Sequence, residues 1–138
     1  MPPVAAVVDV GSNSVRLLLM ERMAPDGAEG ERVTTVTGLR RGAAPDGTVD
    51  DAALRRLDAC LDDYAQRIGD AGSPPVVAVG TAAVREAPNR DAIQRIARAR
   101  LGTDLRVVDG RTEALLAFAG ARLALGDAAS PCPVLDIG

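Results

Sequence analysis

Residues 7–16 read VVDVGSNSVR: an aliphatic run stops at Asp9, turns through Gly11, Ser12 and Asn13, and resumes as an aliphatic run. The wider stretch VAAVVDV (4–10) is almost unbroken in its apolar character, the pattern of a strand covered on both faces. SVRLLLMERM (14–23) reads as a second strand. APDGAEG (24–30) turns by its Pro, Asp and Gly content, and ERVTTVTGLR (31–40) alternates as a third strand. Connections this short make the three an antiparallel meander.

Beyond Arg40 the period changes from two to three and four. RRGAAPDGTVD (40–50) is a loop ending at Asp50, a helix N-cap residue, and Leu54, Leu57, Leu61, Tyr64 and Ile68 follow along one helical face. Gly69 and Gly72 stop that helix, and PPVVAVGT (74–81) is a short buried strand. Asn89 caps the next helix, which places Ile93, Ile96, Ala97 and Leu101 inside and Gly102 just past its end. DLRVVD (104–109) reads as a strand, TEALLAFAGARLAL (112–125) as a helix rich in small residues, and PVLDIG (133–138) as the start of a further strand. The order β-β-β-α-β-α-β-α-β defines an α/β protein. Its mixed sheet combines the meander with parallel fourth and fifth strands. Residues 1–126 read as one lobe, and 127–138 as a connection into the first strand of a second. A strand carrying Asp136 with Gly138 poised to turn leads to the expectation that the chain is the N-terminal part of a longer protein.

Composition prunes the chemistry. These 138 residues contain no His, which excludes Ser-His-Asp, Cys-His and His-ligated zinc sites built from them alone. Lys is absent too: all 16 positive charges are Arg, so neither a GxxxxGK[ST] loop nor a Schiff-base lysine can form. Arginine suits phosphate, because its planar fork donates two parallel hydrogen bonds to one anion. Cys60 and Cys132 have no metal-ligand spacing and read as core thiols. A net charge of −3 argues against general nucleic-acid binding, and no apolar run approaches a membrane span, so the sequence reads as cytoplasmic.

A strand that ends in a carboxylate and then turns through Gly and hydroxyl residues gathers three capacities at one sheet edge. Asp9 can hold a hydrated divalent cation. Gly11 lets the backbone bend and approach an anion, and the N–H groups and hydroxyls of Ser12, Asn13 and Ser14 can cradle phosphate oxygens. The competing reading is an ordinary hairpin whose Asp and Asn satisfy the turn. VLDIG (134–138) repeats the grammar of VVDVG (7–11): two apolar residues, Asp, an aliphatic residue, Gly. In this duplicated unit the sequence resembles the actin-like phosphotransferase superfamily.

VGTAAVREAPNRDAI (79–93), VVDGRTEALLAFAGA (107–121), DVGSNSVRLL (9–18) and the loop GLRRGAAPDGTVDDAALRRL (38–57) narrow the resemblance. Together they are similar to the family of exopolyphosphatases and guanosine pentaphosphate phosphohydrolases over essentially the whole chain. The resemblance implies a ribonuclease H-like/actin-like ATPase lobe with helices on both faces of a five-stranded sheet. It implies hydrolysis of a terminal phosphoanhydride of inorganic polyphosphate or guanosine pentaphosphate with Mg²⁺ (or Mn²⁺), and a homodimer at full length. Glu113 matches the family's catalytic base and Arg85 an arginine near the substrate. Asp9 and Asp136 would hold the metal, while Gly11, Ser12, Asn13, Ser14, Arg16 and Gly138 would bind the substrate.

Taken without the resemblance, Glu113 is also a helix-start glutamate favoured by the macrodipole, and Arg16 and Arg85 could be surface arginines. Arg40 and Arg41 read as a solvated loop rather than as a basic track. The family's usual Glu-Glu pair stands here as Thr112-Glu113, a departure that bears on metal affinity. A kinase of the same superfamily and a non-catalytic sensor of the same ligands are the alternative readings.

Overall fold

In a computed structural model the described residues are 2–24 and 27–125. β1 (Ala5–Val10), β2 (Ser14–Ala24) and β3 (Gly27–Val36) form the meander, followed by α1 (Asp51–Asp70), β4 (Val76–Gly80), α2 (Ala82–Arg85), α3 (Arg90–Leu101), β5 (Arg106–Val107) and α4 (Gly110–Leu125). The sheet order is β3-β2-β1-β4-β5, with β1–β2 and β2–β3 antiparallel and β1–β4 and β4–β5 parallel, as expected. Among these residues no helix is long and apolar enough to cross a membrane. The strand expected over 133–138, with Asp136 and Gly138, lies outside the described residues, as does Cys132.

One face of the sheet carries the core. Ala6, Val8 and Val10 of β1 are fully buried with Val15 and Leu17 of β2, Ala78 of β4, and Leu57, Leu61 and Tyr64 of α1. Each fully buried Leu contributes about 1.5–3 kcal/mol relative to exposure. Asp50 caps α1 as its sequence position suggests, its Oδ1 accepting from the Ala53 N–H at 2.6 Å. The Tyr64 hydroxyl brings the one polar atom of a large core residue to the meander, within 2.9 Å of the Val15 carbonyl oxygen and 3.0 Å of Thr35 Oγ1. Cys60 is buried beside it, in keeping with a core thiol. α3 packs against α1, and Arg100 clamps the two outside the core with bonds of 2.8 Å to both oxygens of Asp58 and to Asp62.

The structure departs from the expectations at identifiable places. β1 is not covered on both faces among the described residues: Ala5, Val7 and Asp9 are only half-buried, and Asp9 looks into a cleft. The β2–β3 hairpin is longer than expected, since Ala24 pairs with Gly27 within the stretch read as a turn. A register shift between Met20 and Arg22 accommodates it, opposite Gly30. A Cβ on Gly30 would lie 1.9 Å from the Leu19 carbonyl oxygen, so only glycine fits there.

β3 ends at Val36, because residues 37–40 leave the sheet to bond the β1–β2 turn. Gly69 lies inside α1, whose end is marked instead by Ala71 and by Gly72 at φ +93°. The one-turn helix α2 was not expected. β5 is only two residues rather than the six of DLRVVD, since the Gln94 amide takes both backbone groups of Leu105, at 2.8 and 2.9 Å, in place of a strand partner. Asn89 does occupy the N-cap position of α3, but its side chain does not cap. It accepts from Val49 N at 3.0 Å and donates to Val49 O at 2.9 Å, pinning the long loop before α1.

Candidate active site

Asp9 is the penultimate residue of β1 and faces away from the core, directly opposite Arg16 on β2 and Val79 on β4. Side chains at one register position share a face, so Asp9 and Arg16 stand side by side, 3.8 Å apart and both partly exposed. Gly11 closes the turn, its N–H donating to Ser14 O at 3.0 Å. A Cβ on Gly11 would sit 3.0 Å from that same oxygen, which explains a glycine here. The carbonyls of the turn are occupied from outside: Asn13 O accepts from Thr37 N (3.0 Å) and Gly38 N (2.8 Å), and Ser12 O accepts from Arg40 N (3.2 Å). Arg56 on α1 backs this loop by donating to the Thr37 and Gly38 carbonyls at 2.7 and 3.1 Å.

The opposite wall comes from the ends of β4 and β5. Thr81 follows β4 and donates its N–H to Val10 O at 3.3 Å, bringing the start of α2 against the end of β1. Four residues on, Arg85 donates Nη1 to Val108 O at 2.8 Å and to Glu113 Oε2 at 3.3 Å. Glu113 lies in the first turn of α4, which Asp109 starts by accepting the Thr112 N–H at 2.6 Å. That bond holds the Asp109 carboxyl below its usual range. Arg85 and Glu113 are each about 30% exposed, enough to be reached by a ligand and enough shelter for their pairing to be felt.

A cleft of about 1110 Å³ joins these walls. Asp9, Gly11, Ser12, Asn13, Ser14 and Arg16 line it from one side; Thr81, Val108 and Glu113 line it from the other. α4 runs on the second face of the sheet, with Leu116 and Ala117 in the cleft and a contact to β3, so helices stand on both faces. Of the residues singled out from sequence, every one within the described range lies in the cleft or, for Arg85, bonds to a cleft residue. Asp136 and Gly138 fall outside that range.

Three polar residues of the cleft, Thr81, Arg40 and Glu86, have no site role in the sequence reading. Thr81 was seen only as part of a motif. Arg40, read as a solvated loop residue, instead reaches the cleft and pairs with Glu86, Nη1 to Oε2 at 2.7 Å. Nothing local in the sequence signals that pair, which joins positions 46 apart in the chain.

The sheet order, with α1 and α3 on one face, α4 across the other and the carboxylate-bearing strand end at the cleft, defines a ribonuclease H-like/actin-like lobe. The crystal structure of an exopolyphosphatase from Cytophaga hutchinsonii superposes with a TM-score of 0.77 at 26% identity, covering 86% of this chain and 38% of the other. Residues 30–138 match the model of the Ppx/GppA phosphatase family, and the chain belongs to that family. It is 34% identical to Exopolyphosphatase 2 of Mycobacterium tuberculosis over 96% of its length and 44% of the relative's. It is 29% identical to the guanosine-5'-triphosphate,3'-diphosphate pyrophosphatase of Aliivibrio fischeri over 87% of its length and 24% of the relative's. The chain thus spans less than half the length of these relatives.

Proposed function

We propose that this chain is the N-terminal lobe of a phosphoanhydride hydrolase that releases terminal orthophosphate from inorganic polyphosphate or guanosine pentaphosphate. The observation that carries the reading is Glu113, which Arg85 pairs at 3.3 Å and which lines the same cleft as Asp9 and the Gly11–Ser14 turn although the segments are distant in sequence. A carboxylate can activate water, and a guanidinium beside it can offset the charge that builds on an attacked phosphate. Glu113 orients a water and takes its proton as the water oxygen attacks the terminal phosphorus in line. The bridging P–O bond breaks, and the shortened phosphate chain leaves with the bond pair. Arg85 meets the charge developing on the attacked group, and the N–H groups and hydroxyls of Ser12, Asn13 and Ser14 hold the neighbouring phosphate.

A divalent cation fits the donor chemistry. The described residues contain no group of three His, Cys, Asp or Glu side chains that could cage a metal. Mg²⁺ seldom uses such a cage, and binds instead through one or two carboxylates, water and substrate phosphates. Asp9 would supply a carboxylate here, with Asp136 as its proposed counterpart in a second lobe. When bound, the ion would neutralise phosphate charge. Gly138 would open the partner turn, and the division at about residue 126 and a homodimeric full-length state belong to the same proposal.

The test is phosphate release by the intact protein with Mg²⁺, polyphosphate against guanosine pentaphosphate, beside Glu113→Gln. The expected loss in the variant is about a hundredfold or more. Absence of release from both substrates, or a variant as active as the wild type, refutes the reading.

A further inference from the structure

Arg40 is a cleft cation outside the chemistry above. Its backbone is fixed to the Gly11–Ser14 turn through the Ser12 carbonyl, yet its side chain crosses to Glu86, on the segment that carries Arg85. Glu86 in turn lies 3.8 Å from Arg85 Nη2. The side chains thus alternate as Arg40, Glu86, Arg85 and Glu113, with separations of 2.7, 3.8 and 3.3 Å. A carboxylate between two arginines is unfavourable in a cleft meant for an anion, unless it occupies the arginines only until the anion arrives. The exposures fit that role. Arg40 and Glu86 side chains are 41% and 54% exposed, so solvent screens the pair, and opening it costs at most about fivefold in population. A phosphate offers the same guanidinium two parallel charge-assisted bonds, which are stronger.

We propose that Arg40 is a latched phosphate-binding residue: Glu86 holds it across the cleft until a phosphate group of the ligand displaces the carboxylate. The proposal rests on reading the cleft as a phosphoanhydride site, and it deepens that reading. Arg85 serves the attacked phosphate, and Arg40, on the other side of Glu86, serves one further along. The cleft is therefore selective for ligands with consecutive phosphates over a single orthophosphate.

The experiment is calorimetric binding of tripolyphosphate and of orthophosphate to the intact protein at one low ionic strength, with divalent cations removed by chelator. Wild type, Arg40→Gln, Glu86→Gln and the double variant are compared. Arg40→Gln is expected to weaken tripolyphosphate binding about tenfold, the scale of one charge-assisted hydrogen bond. Glu86→Gln is expected to tighten it about threefold, a gain that a merely structural residue would not give. The double variant is expected to bind like Arg40→Gln alone, with orthophosphate binding changed less than twofold throughout.

The latch is overturned if Arg40→Gln changes tripolyphosphate affinity less than twofold, or if Glu86→Gln weakens it. It is equally overturned if the Glu86→Gln gain survives in the Arg40→Gln background, or if the wild type binds no tripolyphosphate. Phosphate release, measured on the same preparations with Glu113→Gln as control, separates the two ideas. Release that depends on Glu113 without the Arg40–Glu86 pattern sinks the latch alone. The pattern without such release sinks the hydrolase reading alone.

Discussion

Gly80 joins the sheet to the cleft, and replacing it with Ala tests how tightly the two are coupled. It ends β4, paired with Val10 on one side and Val107 on the other. A Cβ there would lie 2.9 Å from both Cβ and Cγ2 of Val84 and 3.2 Å from Cγ1. Ordinary carbon contacts begin near 3.5 Å, so the shortfall is roughly half an ångström against a β-branched side chain with little rotamer freedom. Val84 is fully buried, so it cannot swing into solvent. Overpacking of this kind costs about 1–3 kcal/mol.

For a chain of this size that corresponds to a fall in Tm of roughly 3–15 °C, read by calorimetry or by far-UV circular dichroism. The effect should also reach the site, because Arg85 is the residue after Val84 and any movement of α2 carries its guanidinium away from Glu113. Val84→Ala in the Gly80→Ala background should recover part of the stability, giving a coupling of about 1 kcal/mol in a double-mutant cycle. If Gly80→Ala shifts stability by less than about 0.3 kcal/mol, or if the two substitutions simply add, the packing argument is wrong.

Two further outcomes follow from the core and from the α1–α3 clamp. Tyr64→Phe should cost about 0.5–1.5 kcal/mol in urea unfolding at neutral pH, the net worth of a buried hydrogen bond, with an unchanged m-value. Burial pushes the Tyr64 hydroxyl above its usual pKa, so the neutral form is favoured in the fold and stability should fall as pH rises past about 10. The Phe variant should lose that part of the alkaline limb, and an identical limb in both proteins would count against the assignment. The Arg100 guanidinium holds the Asp58 carboxyl below its usual range, so the stability it lends is present above about pH 4 and is lost as pH falls through the depressed value. Arg100→Gln should therefore lower Tm more at pH 7 than at pH 2.5. A difference independent of pH and of added salt would contradict the ion-pair account.

The alternation of β3, the three-and-four spacing of α1 and the punctuation by Asp50 and Gly102 each rest on residues a few positions apart. Local sterics and one buried face decide them, so they were legible from sequence. The strand–Asp–Gly–hydroxyl turn was legible for the same reason: its chemistry is carried by neighbours in the chain. Glu113 and Arg85 were reached through a family resemblance, because each taken singly is indistinguishable from a helix-start glutamate or a surface arginine. What no local pattern could supply were bonds between distant segments. Asn89 left its cap to hold Val49, Gln94 replaced a strand partner for Leu105, and Arg40 crossed to Glu86.

Sequence alone determined the three strands of the meander, β4, the three long helices and the residue types available for chemistry, since these depend on short-range backbone preference and on which faces can be apolar. Only the tertiary structure decided which of the sixteen arginines enter the cleft. A guanidinium on a long flexible stem takes its place from whichever carboxylate or carbonyl the fold brings within about 3 Å.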